Sequence, residues 1–135
     1  MPLTRLDHFS VRTADVEGTK AFYEKVLGLR NGDRPQFPFP GAWLYHGDRA
    51  VVHIIGIDPN DPSGLQEYLG DRGGNGQGTG SFDHIAFVAS DFEGMRKHFT
   101  ELGVPFRHRS VPGMALEQLF VTDPNGVTVE INFPS

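Results

Sequence analysis

The sequence has no cysteine among its 135 residues. Disulfide bonds, iron–sulfur clusters, cysteine-ligated zinc and cysteine nucleophiles are therefore excluded. A bound metal ion would have to be held by histidine, carboxylate or backbone oxygen atoms, and the chain offers six histidines for that purpose.

The sequence also lacks an excess of positive charge and any long apolar run. Its 12 lysine and arginine residues are outnumbered by 17 acidic ones, and the net charge of −5 argues against a nucleic-acid partner. No stretch approaches the roughly 20 apolar residues of a membrane span, and no apolar run near the first residue predicts a signal peptide. We therefore expect a folded cytoplasmic protein, with no membrane partner, that binds a small-molecule substrate.

What the chain does contain is one internal repeat. The segment 6–11 can be aligned with the segment 82–87, 76 positions later, so that His8 falls on His84. Near the end of each half, His53 aligns with Glu130 between similar apolar neighbours, at a shift of 77 positions. One residue of slippage over half the chain is what a loop insertion would produce.

Both halves show the same succession of hydrophobic patterns. Period-two alternation predicts a first strand, and an apolar helical pattern then begins after Asp15 or Asp91 and ends near Gly28 or Gly103. Three short strands follow in each half. The predicted strands are 4–12, 29–34, 42–46 and 50–57 in the first half, and 81–89, 105–110, 115–122 and 127–133 in the second.

The order βαβββ, repeated twice, predicts an α+β fold. We expect the two modules to form a cupped mixed sheet around a central metal site, with the helices on the outer face. The whole chain, 1–135, would be a single domain made of modules 1–69 and 81–135. The segment 70–80 has six glycines in eleven residues, which is typical of a flexible linker. A mobile flap over the site is the alternative for this segment.

The histidines and the glutamate of the repeat are predicted to share one face of the sheet. Side chains alternate between faces along a strand, and these residues lie between apolar neighbours that would pack against a helix. They would point to the concave side, where two facing repeats bring all four near one axis: His8, His53, His84 and Glu130. Imidazole and carboxylate ligands suit one divalent ion of Fe, Mn, Ni, Co or Zn.

Taken one at a time, these residues would be assigned ordinary structural roles, but taken together they favour a metal site. A lone histidine on a strand is more often hydrogen-bonded than a ligand, and a lone glutamate is usually solvated. Burying Glu130 without a positive partner would be costly, and the matching repeat positions favour ligation. For His53 two roles stay open: a fourth metal ligand, or a catalytic base or hydrogen-bond donor.

Aromatic and polar side chains on neighbouring strands are candidates for the wall of a substrate pocket, although each could simply pack. These candidates are Trp43, Tyr45, Gln118 and Phe120. Tyr45 is also a candidate for catalytic acid–base work.

Other conspicuous residues are predicted to have other roles. His46, His98 and His108 are not expected to be ligands. For Arg107 and Arg109, a solvated strand edge is favoured over attraction of an anionic substrate. An apolar loop with Phe37, Phe39 and three prolines is expected to cap the pocket or to contact a second subunit, which is consistent with a homodimer.

The motifs at the ends of the repeat resemble those of the vicinal oxygen chelate superfamily, which includes glyoxalase I, bleomycin-resistance proteins and extradiol dioxygenases. These motifs are Leu-Asp-His at the first strand, Phe-Asp-His at the second half, and Asp-Pro-Asn-Gly-Val-Thr-Val-Glu-Ile near the end. The resemblance implies metal ligation by His8, His84 and Glu130. His53 stands where glyoxalase I carries a glutamate and methylmalonyl-CoA epimerase a glutamine.

The resemblance leaves three functions open. The first is a lyase or isomerase that moves a proton on a substrate chelated through two oxygens, which is slightly favoured by the length of the chain and the four-residue site. The second is an Fe(II) ring-cleaving dioxygenase of extradiol type, which uses two histidines and one glutamate. The third is a non-catalytic protein that sequesters a drug or metabolite. His53 removes the carboxylate that glyoxalase I uses as base, which argues against lactoylglutathione chemistry.

Overall fold

The computed structural model describes residues 5–57, 79, 82–111 and 114–134. The chain divides into two compact units, Met1–Gln77 and Gly78–Ser135, called here the first and the second unit. Apart from Thr79, the predicted linker 70–80 lies outside the described residues. Neither helix of the described part is long and apolar enough to cross a membrane.

In its described residues, the first unit has a four-stranded mixed sheet and one helix. The elements are β1 (Phe9–Thr13), α1 (Val16–Lys25), β2 (Arg30–Gly32), β3 (Gly41–His46) and β4 (Arg49–Gly56). The strand order is β1-β4-β3-β2; β1 pairs parallel to β4, and the remaining pairs are antiparallel.

The second unit repeats this arrangement. The elements are β5 (His84–Val88), α2 (Phe92–Leu102), β6 (Arg107–Ser110), β7 (Leu116–Thr122) and β8 (Thr128–Pro134). Its sheet has the order β5-β8-β7-β6, again with one parallel pair, β5 with β8. The prediction of an α+β fold with two βαβββ modules is confirmed.

Both helices begin as their capping residues predict. The Asp15 carboxylate accepts a hydrogen bond from the Gly18 amide at 2.9 Å, and Asp91 accepts one from Gly94 at 3.1 Å. Gly103 ends α2 in the left-handed conformation, at φ 71°. α1 ends two residues before the predicted C-cap, Gly28. Its C-cap is Val26, and Gly28, at φ 75°, turns the chain two residues further on.

Within the described residues, the strand predictions were correct in number and too long at some ends. Pairing in β1 starts where Phe9 meets Val52, so His8 directly precedes the strand instead of lying inside it. β5 is likewise shorter than predicted and starts at His84. The edge strands β2 and β6 also shorten, because each has a pairing partner on one side only.

One face of each sheet carries the apolar core. In β4 the buried residues Val52 and Ile54 alternate with half-buried positions, and in β8 Val129 and Ile131 do the same. On the helices, Tyr23 of α1 and Phe99 of α2 are fully buried. The other face of each sheet therefore carries the predicted site residues.

Candidate functional site

In the first unit, three rings are stacked across the sheet face opposite the core. The rings of His8 and His53 lie 3.7 Å apart between centroids and 11° from parallel. The indole of Trp43 lies 4.0 Å from His53 at 9°. Because β4 lies between β1 and β3, His53 is held between the other two rings, with its faces covered and its edge nitrogens left for polar partners.

The ring nitrogens of His53 have different surroundings. Nε2 lies 3.1 Å from the carbonyl oxygen of Ala50, so it is the nitrogen that carries the proton and donates it. Burial, reinforced by the nearby His8, lowers the pKa of His53 below its ordinary value. The ring is therefore neutral near pH 7 and keeps a lone pair on Nδ1.

His8 is oriented by the residue just before it. Its Nδ1 lies 2.7 Å from the Asp7 carboxylate, and this hydrogen bond lowers the pKa of Asp7. The contact fixes a proton on Nδ1 and turns Nε2 away from Asp7. A carboxylate behind the imidazole is the usual outer partner of a metal-ligating histidine.

The stack constrains how the first unit can hold a metal. A ring nitrogen binds an ion in the plane of its ring, at about 2.0–2.1 Å for zinc. Two nearly parallel rings 3.7 Å apart cannot both aim in-plane lone pairs at one ion. Either His8 alone is a ligand, or His53 turns out of the stack to become a second one.

In the second unit, His84 and Glu130 face each other on the corresponding side of the sheet. Nε2 of His84 lies 3.5 Å from Oε1 of Glu130, whose side chain is 15% exposed. Nδ1 of His84 lies 2.6 Å from the Asp83 carboxylate. The Asp83 hydrogen bond raises the pKa of His84, and the Glu130 charge adds to this effect.

The geometry of this pair fits two ligands of one ion. Two ligand atoms at about 2.1 Å from an ion in tetrahedral arrangement lie roughly 3.4 Å apart. The observed separation of 3.5 Å is close to that value and is long for a hydrogen bond.

Glu130 is held by amides, and no lysine or arginine of the described residues pairs with it. Its Oε2 accepts a hydrogen bond of 2.9 Å from the Asn132 amide, and the Asn132 carbonyl accepts one of 2.9 Å from Gln118. Arg109 donates to Gln118 at 3.4 Å. This series of hydrogen bonds orients the Glu130 carboxylate and leaves its Oε1 directed to His84.

The predicted pocket residues have distinct surroundings. Trp43 is stacked on His53, whereas the Tyr45 hydroxyl donates to the Asp33 carbonyl at 2.5 Å and its ring lies under Arg30. Gln118 is 7% exposed, and it donates the hydrogen bond to Asn132 that leads to Glu130. Phe120 pairs in register with Glu130 and borders a cavity of about 400 Å³.

The remaining histidines have other surroundings. His46 is exposed, and Nε2 of His108 lies 2.7 Å from a Glu117 oxygen. In the part of each unit that the structure describes, no group of three or more His, Asp or Glu side chains is placed to hold a metal. Within each unit the candidate residues therefore form a pair.

Sequence reasoning missed the residues that orient these pairs. Asp7 and Asp83 occupy the same repeat position, directly before a predicted ligand, and this shared position was the available signal. Asn132, two residues after Glu130 on the same face, is visible by the same alternation.

Comparison with known proteins agrees with this picture. A sequence model of the Glyoxalase/Bleomycin resistance protein/Dioxygenase superfamily matches residues 5–131. The chain is 29% identical over 132 residues to "Glyoxylase I 4" of Arabidopsis thaliana, covering 96% of this chain and 70% of that protein. It is 28% identical over 149 residues to a lactoylglutathione lyase of Pseudomonas putida, covering 96% and 84%.

A solved structure shares the fold. The lactoylglutathione lyase from Agrobacterium tumefaciens superimposes with a TM-score of 0.69 at 21% identity, over 98% of this chain and 96% of that chain. The match of the superfamily model to nearly the whole chain confirms the superfamily that the motifs predicted. The chain therefore belongs to the Glyoxalase/Bleomycin resistance protein/Dioxygenase superfamily, also called the vicinal oxygen chelate superfamily.

Proposed function

We propose that this chain is a divalent-metal-dependent enzyme that moves a proton on a small substrate chelated through two adjacent oxygens. His8, His84 and Glu130 would be metal ligands, and His53 a fourth ligand or the base. The observation that carries the proposal is the His84–Glu130 pair, spaced 3.5 Å apart with an orienting group behind each member. Use of divalent metals within this superfamily supports the same assignment.

The donor set fits the metal without fixing its identity. Two or three imidazoles with one carboxylate suit Fe, Mn, Co, Ni or Zn. When bound, the ion would act as a Lewis acid toward the two adjacent oxygens of the substrate.

The other steps would be performed by the side chains. Asp7 and Asp83 keep protons on Nδ1 of their histidines, so that each ring in its neutral form presents the lone pair of Nε2. Asn132 holds Glu130 in one orientation. His53 is neutral near pH 7 with a lone pair on Nδ1, which is the state required of a general base. Tyr45 is a further candidate acid, although its hydroxyl already donates a hydrogen bond to the Asp33 carbonyl oxygen.

The activity test uses the hemithioacetal of methylglyoxal and glutathione, because two relatives carry the name lactoylglutathione lyase. We expect metal-dependent conversion that is weak in the natural chain and higher in His53→Glu, which restores a carboxylate at this position. Chelator treatment and Glu130→Ala should abolish it. Activity that survives both treatments would contradict the proposal.

The dioxygenase alternative rests on the two-histidine, one-glutamate set, which also suits Fe(II). Oxygen uptake with catechol, measured on protein loaded with iron under anaerobic conditions, separates this reaction from proton transfer. Tight ligand binding without any reaction would instead favour sequestration of a drug or metabolite.

The role of His53 can be read from fluorescence, because Trp43 is the only tryptophan in the sequence. If His53 becomes a ligand, it must leave the stack on Trp43, and metal titration should change the emission. If His53 stays stacked as a base, the emission should change little. His53→Ala is the control that removes the stack before metal is added.

A homodimer is also part of the proposal. Sedimentation of the metal-loaded protein tests it directly, with a mass near twice 14.9 kDa as the expected result.

A further inference from the structure

The second unit has a cavity of about 400 Å³ on the side of the sheet where β6 and β7 meet. Four of its lining residues offer one cation, one aromatic ring and two hydroxyl groups. These residues are Arg107, Phe120, Thr122 and Thr128.

Strand register relates this cavity to the His84–Glu130 pair. Arg107 is the partner of Phe120, and Phe120 is the partner of Glu130. In the next row, Thr122 is the partner of Thr128, and Thr128 is the partner of His84. Because directly paired residues project from the same face, the cavity and the candidate ligands share one surface.

The guanidinium of Arg107 is held without a carboxylate. Its central carbon lies 4.3 Å from the centroid of the Phe120 ring. Stacking on a ring leaves the N–H groups at the guanidinium edge available for hydrogen bonds. Arg96 of α2 is different, because it pairs with Glu93 at 2.6 Å. Among the residues that the structure describes, no carboxylate forms such a pair with Arg107.

We propose that Arg107, with Thr122 and Thr128, binds an anionic end of the substrate, and that the substrate is a small organic acid. The inference rests on the proposed function, because it takes the chelated end of the substrate to lie at His84 and Glu130. Arg107 and Glu130 lie two strands apart, or about 10 Å between Cα atoms at the usual strand spacing. The acid would carry two adjacent oxygens at one end and a carboxylate or phosphate group at the other.

The test uses acids that differ only at the far end. 2-Oxoglutarate has a distal carboxylate, 2-oxopentanoate has none, and 2-oxo-4-phosphonobutanoate has a phosphonate in its place. Each is titrated into zinc-loaded and metal-free protein while the backbone amide NMR signals of Arg107, Thr122 and Thr128 are followed. The variant is Arg107→Gln, and Arg96→Gln is the control, since it removes a guanidinium near another ring of the same unit.

The expected result is tighter binding of an acid with a distal anion, by about tenfold over 2-oxopentanoate, because a charged hydrogen bond to an exposed arginine is worth about this much. Arg107→Gln should remove the preference, and Arg96→Gln should keep it. Whichever of the carboxylate and phosphonate acids binds more tightly identifies the anionic group that the site prefers.

Three results would overturn the inference: equal binding of all three acids, an unchanged preference in Arg107→Gln, or no shift of the three amide signals with any acid. A preference that depends on Arg107, with the affinity of every acid the same with and without zinc, would support the anion site and contradict the metal function. Binding that depends on zinc and ignores the distal group would do the reverse.

Discussion

In the first unit, His53 lies between two rings, whereas in the second unit the equivalent Glu130 lies at the end of a chain of amides. The strand order is the same in both units, and His53 and Glu130 occupy matching rows of the two sheets. The register of β3 against β4 shifts between Leu44 and Tyr45, whereas that of β7 against β8 is regular. The residue two positions after His53 or Glu130, and its partner on the neighbouring strand, differ between the units. Ile55 pairs with Gly41 in the first unit, whereas Asn132 pairs with Gln118 in the second, so only the second unit has side-chain amides there.

The comparison shows how one frame serves two kinds of side chain. A neutral imidazole is stabilised by contact of its faces with other rings, and it needs few polar partners. A largely buried carboxylate must receive hydrogen bonds, or its burial is costly. The feature common to both units is the aspartate that directly precedes the first histidine of each pair and orients it.

The largest effects on stability are expected from substitutions in the apolar core that each unit has. Leu44 and Leu119 are both fully buried. We expect Leu44→Ala and Leu119→Ala each to lower the free energy of unfolding by about 2–5 kcal/mol, through lost burial and the cavity left behind. Denaturant unfolding measures this, and Val88→Ala, at a position 77% exposed, should change little. A loss of stability from only one of the two substitutions would contradict the expectation that both leucines belong to a core.

The next largest effect should come from exchanging the residues that differ between the units. Asn132→Ile gives the second unit the residue of the first and removes the amide that donates to Glu130. We expect metal affinity to fall by about 10- to 100-fold, as for other groups that orient a ligand. Competition with a chelating dye measures the affinity.

Ile55→Asn is the reciprocal control. Because Ile55 is buried, this variant should be less stable, but once folded it should keep nearly the same metal affinity, because His53 receives no hydrogen bond from Ile55. Equal losses in the two variants would mean that the amide chain has no special role in holding Glu130.

The shared aspartates should give smaller and matched effects. Asp7→Asn and Asp83→Asn replace the carboxylate behind His8 and His84 with an amide of the same shape. We expect each variant to bind metal about tenfold more weakly, because the imidazole loses basicity and a fixed orientation. Asp33→Asn, on a loop, controls for the change in charge. An effect confined to one aspartate would break the symmetry between the units.

The smallest expected effect concerns pH and is found in the second unit. Hydrogen bonds from Ser110 and His108 lower the pKa of Glu117 below its ordinary value of 4.5. Glu117 therefore stabilises the fold above about pH 4.5, and this contribution is lost as the pH falls through the lowered pKa. Glu117→Gln should flatten the loss of stability on acidification, as measured by unfolding between pH 6 and 3. An identical acid profile in the variant would contradict this account.

The fold could be predicted because each local signal agreed with the repeat. Asp15 and Asp91 mark helix starts, and the alternation around His53 and Glu130 predicts strands with one apolar face. The ends of β1 and β5 could not be predicted in this way. They depend on where pairing with a distant strand begins, and no periodicity within the segment reports that.

The candidate site was predictable only as a set of residue positions. Alternation placed His53 opposite the core, but it could not foresee that Trp43 and His8 would cover both faces of its ring. Likewise, Arg107 lies on an exposed edge strand, as predicted, but its stacking on Phe120 could not be foreseen, because it depends on the register of β6 against β7. Contacts across strands decide these roles, and a single strand does not contain them.

The most direct test of the central claim is the metal content of protein purified without oxygen or chelator, measured by mass spectrometry beside His84→Ala. The account predicts about one equivalent of a divalent transition metal per chain in the natural protein, and loss of that metal in the variant. Protein that stays metal-free after reloading with Fe, Mn, Co, Ni and Zn, or a variant that keeps its full equivalent, would contradict it.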